Sequence, residues 1–232
     1  MLLGRNIKRA KNTEQFEIKI KDHVIEEVKL FKYLGVYLDP ILSWEGHLNH
    51  VRNSVNKKIG VLYRTRSFLK DDTLNTLYQS LILPSLDYCD VVWGNAVKKH
   101  LTKLTKLQNR AGKTILKVNR RFPTKDMLGC LGWTDLDTRR ARHLNVMVYK
   151  CIAKKAPTYL CNIFRKIKDN STYLTRGSKQ GNLIPPKPRS QSGKRTFKYR
   201  GSVSWNQLNI SCKSPIPLTT HQFKSAMKNV TV

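Results

Sequence analysis

Phe31-Lys32-Tyr33-Leu34-Gly35-Val36-Tyr37-Leu38-Asp39, followed at once by Pro40, decides how the rest of the chain is read. The run is β-rich and aromatic with a single glycine, so it predicts two short strands bent at Gly35. Pro40 ends it, because proline has no N–H to give a ladder. Upstream, Phe16-Glu17-Ile18-Lys19-Ile20 alternates with period two, as a half-buried strand does, and Asp22-His23 suits a tight turn. Val24, Ile25 and Val28 lead on into the run, giving a small antiparallel unit. Met1-Leu2-Leu3-Gly4 reads as the end of a strand, so the sequence is expected to open in mid-element.

From Ser43 the period becomes helical. Leu48, Val51, Val55, Ile59 and Leu62 share one stripe, with Ser43 as cap and Glu45 in the first turn. Asp71-Asp72-Thr73 is a second cap signal, followed by an apolar face of Leu74, Leu77, Tyr78, Leu81 and Ile82. Pro84 is expected to break or kink the chain. A third helix is predicted over 98–118, with Leu101, Leu104, Ala111 and Ile115 inward. Thr134-Asp135 caps a fourth over 139–154, buried through Leu144, Met147, Val148, Cys151 and Ile152. Pro157 suits the first turn of a fifth, ending near Lys168. Residues 170–195 are rich in Ser, Gly, Pro, Lys and Arg and cannot order themselves alone. Phe197, Tyr199, Val203, Trp205 and Leu208 then predict strand and turn, and 221–230 a short helix. The fold class is therefore α+β, mostly α, with boundaries expected at 1–40, 41–122, 123–168 and 169–232.

Lys and Arg number 44 against 15 Asp and Glu, a net charge of +29. The excess runs through the whole chain, which makes a polyanion the expected partner. No apolar run approaches the ~20 residues of a spanning helix. No secretory signal is present either, so the chain reads as intracellular, nuclear or cytoplasmic. Cys89, Cys130, Cys151, Cys161 and Cys212 form no C-x-x-C pair, and read as reduced thiols, several packed as small hydrophobes.

The strongest binding constellation is cationic. Arg52, Lys57, Lys58, Arg64 and Arg66 lie along the first helix, and Lys103, Lys106, Arg110 and Lys113 along the third. Such rows follow a phosphate backbone without reading bases. For Tyr33 and Tyr37, stacking on a nucleotide and a cross-strand aromatic pair both fit. Gly35 serves the bend and lets a backbone come near. Catalytic signals are weak. Asp71, Asp72 and Asp135 read as helix caps, and Asp87 with Asp90 as hydrogen-bonding groups. His47, His50 and Cys89 fit no zinc spacing. No catalytic or metal-binding residue is assigned.

Phe31-Lys32-Tyr33-Leu34-Gly35-Val36, then Asp39 and Leu42-Ser43-Trp44, resemble the palm-to-thumb junction (primer grip) of jockey-like non-LTR, LINE-type, reverse transcriptases. Leu77 to Cys89, Val92-Trp93-Gly94-Asn95, Leu107-Gln108-Asn109-Arg110-Ala111 and Trp205-Asn206-Gln207-Leu208 continue the resemblance. It implies an N-terminal palm remnant, a helical thumb over 41–122 and a smaller C-terminal region. It also implies an RNA–DNA hybrid or duplex as partner, together with the palm and fingers of the same polypeptide. Those polymerases carry a Tyr/Phe-x-Asp-Asp strand, and no such string occurs here. The resemblance therefore implies a fragment that binds but does not polymerise, with Mg²⁺ expected only alongside the palm. A general nucleic-acid-binding module, a non-functional product of a degenerate element and an independent nuclease are the other readings; oligomeric state is not legible.

Overall fold

The computed structural model describes residues 19–25, 28–170, 173, 175–208, 213 and 219–228. The strand reading at 16–18, the opening at 1–4, Cys212 and the end of the 221–230 helix lie outside them. In chain order come β1 (Lys19–Ile20), β2 (His23–Val24), β3 (Phe31–Tyr33), β4 (Val36–Leu38), α1 (Glu45–Thr65) and α2 (Asp71–Leu77). A π-helical turn (Tyr78–Ile82) leads to α3 (Leu83–Asp87), α4 (Asp90–Trp93), α5 (Lys98–Ile115), α6 (Thr124–Leu131) and α7 (Leu136–Ile152). Then follow α8 (Thr158–Cys161), a 3-10 turn (Ile167–Asn170), α9 (Arg176–Lys179), α10 (Gln191–Lys194), α11 (Phe197–Gln207) and α12 (Thr220–Lys228). The fold is α+β and mostly α, as the sequence predicts. The described residues fall into two compact units, those within 1–89 and 96–131, and those within 90–95 and 132–232.

In the first unit β3 and β4 pair antiparallel, with Phe31 opposite Leu38, Lys32 opposite Tyr37 and Tyr33 opposite Val36. Leu34 (φ 44) and Gly35 (φ 79) make the bend, the two positive φ angles that a tight two-residue hairpin requires. In the smaller hairpin Ile20 pairs with His23. Its turn is thus Lys21-Asp22, one residue before the expected Asp22-His23.

The hairpin-to-helix junction is organised chiefly by Asp39; Ser43, the expected cap, contributes one contact, its hydroxyl accepting from the Glu45 N–H (3.2 Å). The Asp39 Oδ1 accepts from the N–H of Ile41 (3.2 Å) and Ser43 (2.9 Å). Its Oδ2 accepts from the Ser43 hydroxyl (3.1 Å) and the Trp44 N–H (2.9 Å). Leu42 (φ 50) and Trp44 (φ 65) coil the chain left-handed around that carboxylate. Trp44 occupies the N-cap position with no side-chain cap of its own.

The predicted stripe of α1 is buried throughout, from Leu48 to Leu62, and packs on α5 through Leu104, Leu107, Ala111 and Ile115. Leu101 is only half-buried, and α5 stops at Ile115 because Lys117 turns left-handed (φ 56). Gly112 makes room for α6: a Cβ there would meet the Met127 sulfur at 2.6 Å. Pro84 does not break its helix. The Leu83 N–H reaches back five residues to the Tyr78 carbonyl. That wider π turn eases the conflict between a proline ring and the turn before it. Leu74, Tyr78, Ile82 and Leu86 stay on one buried stripe. The break comes later, at Cys89 (φ 53).

In the second unit the Asp135 carboxylate caps α7 by accepting from the N–H of Asp137 (3.0 Å) and Thr138 (2.9 Å). Helix α7 therefore starts three residues before the expected 139. Burial opposes the charge on Asp135, but these hydrogen bonds outweigh it and hold the carboxyl below its usual range. Helix α8 ends at Cys161, short of the expected Lys168. The stretch read as strand and turn is the helix α11, capped by the Thr196 hydroxyl. Its Trp205 ring stacks on Phe223 (5.8 Å), which stacks on Tyr149 (4.3 Å). The Trp205 indole donates to the Gly181 carbonyl (3.1 Å). The Asn206 amide donates to Leu183 O (2.9 Å) and accepts from Leu183 N–H (2.8 Å). Tryptophan and asparagine together hold the Ser/Gly/Pro-rich segment onto the helices, with Leu183 fully buried. Cys151 behaves as a hydrophobe: burial, aided by the Cys161 charge, pushes its thiol up to about 11.

Candidate nucleic-acid interface

A groove of about 410 Å³ opens in the first unit between the β3–β4 turn, α1 and the π turn with α3. Gly35, His47, His50, Lys58, Ser85 and Tyr88 are among the residues bounding it. The Tyr88 hydroxyl donates to the Leu34 carbonyl (2.7 Å) and staples the hairpin turn to the groove wall. A Cβ at Gly35 would stand 3.3 Å from the Tyr88 ring, so the glycine is needed for φ and for this approach. In the same groove the Lys58 ammonium donates to Leu81 O (2.8 Å) and to the Ser85 hydroxyl (2.6 Å). Among the described residues no carboxylate lines the groove. An ammonium, an imidazole and several hydroxyls suit phosphate and sugar, whereas metal-assisted phosphoryl transfer needs acidic ligands.

His47 is buried and its Nδ1 accepts the Tyr37 N–H (3.4 Å), tying β4 to α1. Burial, with the charge of His50, lowers its pKa to about 4 from 6.5. The unfolded chain takes up this proton below pH 6.5, while the folded chain resists until about pH 4. Stability is complete above 6.5 and drains away as pH falls to 4, by about 3 kcal/mol in all. Urea unfolding should therefore lose about 2 kcal/mol between pH 7.5 and pH 5. His47→Gln should remove that portion; an undiminished pH slope in the variant would count against it.

The other residues singled out by sequence divide into two sets. Tyr33 is 59% exposed on β3, while Tyr37 is half-buried against His50 (4.9 Å) beneath the Lys32 ammonium (5.8 Å). Arg66 lies over the Tyr63 ring (4.1 Å). Arg110 donates to the Asn56 side chain (3.3 Å), and Lys113 to the Arg120 carbonyl (2.6 Å). These cations, with Lys58, have structural work. Arg52, Lys57, Arg64, Lys103 and Lys106 have no acidic or hydrogen-bonding partner among the described residues. Sequence reading missed the bond between Asp90, 3% exposed, and His143 Nδ1 (2.5 Å) in the second unit. Among the described residues no helix is long and apolar enough to cross a membrane.

By sequence the chain is similar to RNA-directed DNA polymerases of mobile elements. More narrowly, the matches are to the jockey-like, non-LTR kind. It is 27% identical over 101 residues to the probable RNA-directed DNA polymerase from transposon X-element of Drosophila melanogaster. That match covers 42% of this chain and 11% of the relative. It is 30% identical over 94 residues to the RNA-directed DNA polymerase from mobile element jockey of Drosophila funebris. The Drosophila melanogaster jockey polymerase is 29% identical over the same length, and each jockey match covers 39% of this chain and 10% of the relative. The chain thus spans about a tenth of the curated relatives it matches. No family model matches it, and no solved structure does.

Proposed function

We propose that this chain is the part of a jockey-like reverse transcriptase that holds the template–primer duplex by its backbone. The observation that carries this is the stapled hairpin turn and Lys58 lining one groove that has no carboxylate among the described residues, together with cations of α1 and α5 that have no acidic or hydrogen-bonding partner among them. Phosphate neutralisation supplies the affinity, and no base edge is read. Polymerisation needs metal-binding aspartates on a palm, and the sequence has no Tyr/Phe-x-Asp-Asp string. The chain alone therefore binds without extending a primer. Equilibrium binding to an RNA–DNA hybrid, a DNA duplex and a single strand of one sequence tests this. The hybrid or the duplex should be preferred over the single strand. Equal or tighter binding to the single strand would contradict a duplex grip.

A further inference from the structure

Helix α1 runs out into a cationic turn that carries an aromatic ring. Phe68 is 87% exposed, more than any other large apolar side chain among the described residues. The turn beneath it is held in place. The N–H groups of Phe68 (3.0 Å) and Leu69 (3.2 Å) both donate to the Thr65 carbonyl, and Leu69 is half-buried. The ring thus projects from a fixed backbone. One exposed ring on a surface is ordinary, but the surroundings of this one are not.

Tyr63, near the end of α1, is 56% exposed and has the Arg66 guanidinium over its ring (4.1 Å). Arg64 and Lys70 are exposed on either side of Phe68 in the chain. From Gly46 to Lys70 the sequence contains no Asp or Glu. The next carboxylates, Asp71 and Asp72, open α2, and Asp71 pairs with Lys117 (3.0 Å). Aromatic faces set among cations complement a nucleic-acid strand, whose bases stack on rings while its phosphates meet guanidinium and ammonium.

We propose that the turn after α1 is a stacking site for one unpaired nucleobase, received on the Phe68 ring, with Arg64 and Lys70 meeting the phosphates next to it. The site rests on the function proposed above and narrows it: the duplex is gripped where it gives way to a single strand. A strand held by Arg52, Lys57 and Arg64 has this turn at the end of the same helix. An unpaired base offers its face freely, whereas driving the ring between stacked pairs would mean unstacking them. Stacking uses no base edge, so the site adds a preference for structure and none for sequence.

The test compares the affinity of the full chain for a blunt RNA–DNA hybrid and for the same hybrid with a short single-stranded extension. The extension should tighten binding by about 5–10-fold. Phe68→Ala should abolish that gain and leave blunt-hybrid affinity, the salt slope and the thermal midpoint unchanged, since the ring is uncharged and packs on little. Phe68→Trp should keep the gain. Equal affinity for the two hybrids in the parent, or a gain that survives Phe68→Ala, would overturn the site and leave the duplex grip standing. An equal loss on the blunt hybrid in Phe68→Ala would mean that the ring wedges between paired bases, and would overturn the unpaired base as its ligand. Binding to neither hybrid, with Phe68-dependent binding to the single strand alone, would support the site and overturn the function proposed above. Binding to no nucleic acid, with Phe68-dependent binding to phosphatidylserine vesicles, would make the turn a lipid contact and overturn both.

Discussion

Replacing Arg52, Lys57, Arg64, Lys103 and Lys106 together by glutamine is expected to weaken hybrid binding at least about 100-fold near 0.1 M salt. It should also lower the slope of log K against log salt by about 4. These five cations have no structural partner among the described residues, so their loss should leave the thermal midpoint nearly unchanged. Removing Lys58 or Lys113 instead would confuse binding with folding, because both ammonium groups satisfy backbone carbonyls. The loss should be alike for unrelated sequences, since these contacts go to phosphates. A five-fold variant that binds hybrid as tightly as the parent would remove α1 and α5 from the interface.

Trp205→Ala should be the most damaging single change in the second unit. The ring is 1% exposed and stacks on Phe223, and its indole satisfies the Gly181 carbonyl. Truncating a buried tryptophan costs about 3–5 kcal/mol, a large part of the ~5–15 kcal/mol that holds a domain together. Trp205→Phe keeps most of the stacking and loses the hydrogen bond, so it should cost about 1–2 kcal/mol. Urea unfolding followed by hydrogen exchange in α7, α11 and α12 would measure both. An alanine variant within 1 kcal/mol of the parent would show that the clamp on residues 181–183 contributes little.

The first unit was largely legible in the sequence because its signals are local. The stripe of α1 repeats every three or four residues, and the β3–β4 bend announces itself with glycine between aromatic strands. Helix α11 differs from the expected strand for an equally local reason. Phe197, Tyr199, Val203 and Trp205 all fall on odd positions and imitate a strand, while the residues buried are Gly201, Ser202 and Trp205. Asp39 looked like a strand end, and nothing in composition reveals that four donors converge on it. The pairing of Asp90 with His143 and of Arg200 with Val91 crosses 53 and 109 residues, beyond any periodic signal. In the sequence Lys58, Arg110 and Lys113 are likewise indistinguishable from Arg64. Only the carbonyls and amide they meet in the fold separate the two groups.

In the proposed function, lysine and arginine of α1 and α5 grip a nucleic-acid backbone regardless of its bases. The most direct measurement is the affinity of the full chain for two RNA–DNA hybrids of unrelated sequence between 50 and 200 mM salt. Matching affinities that fall together by about 10³-fold or more across that range are expected. Affinities that differ strongly between the two hybrids, or that barely respond to salt, would contradict it.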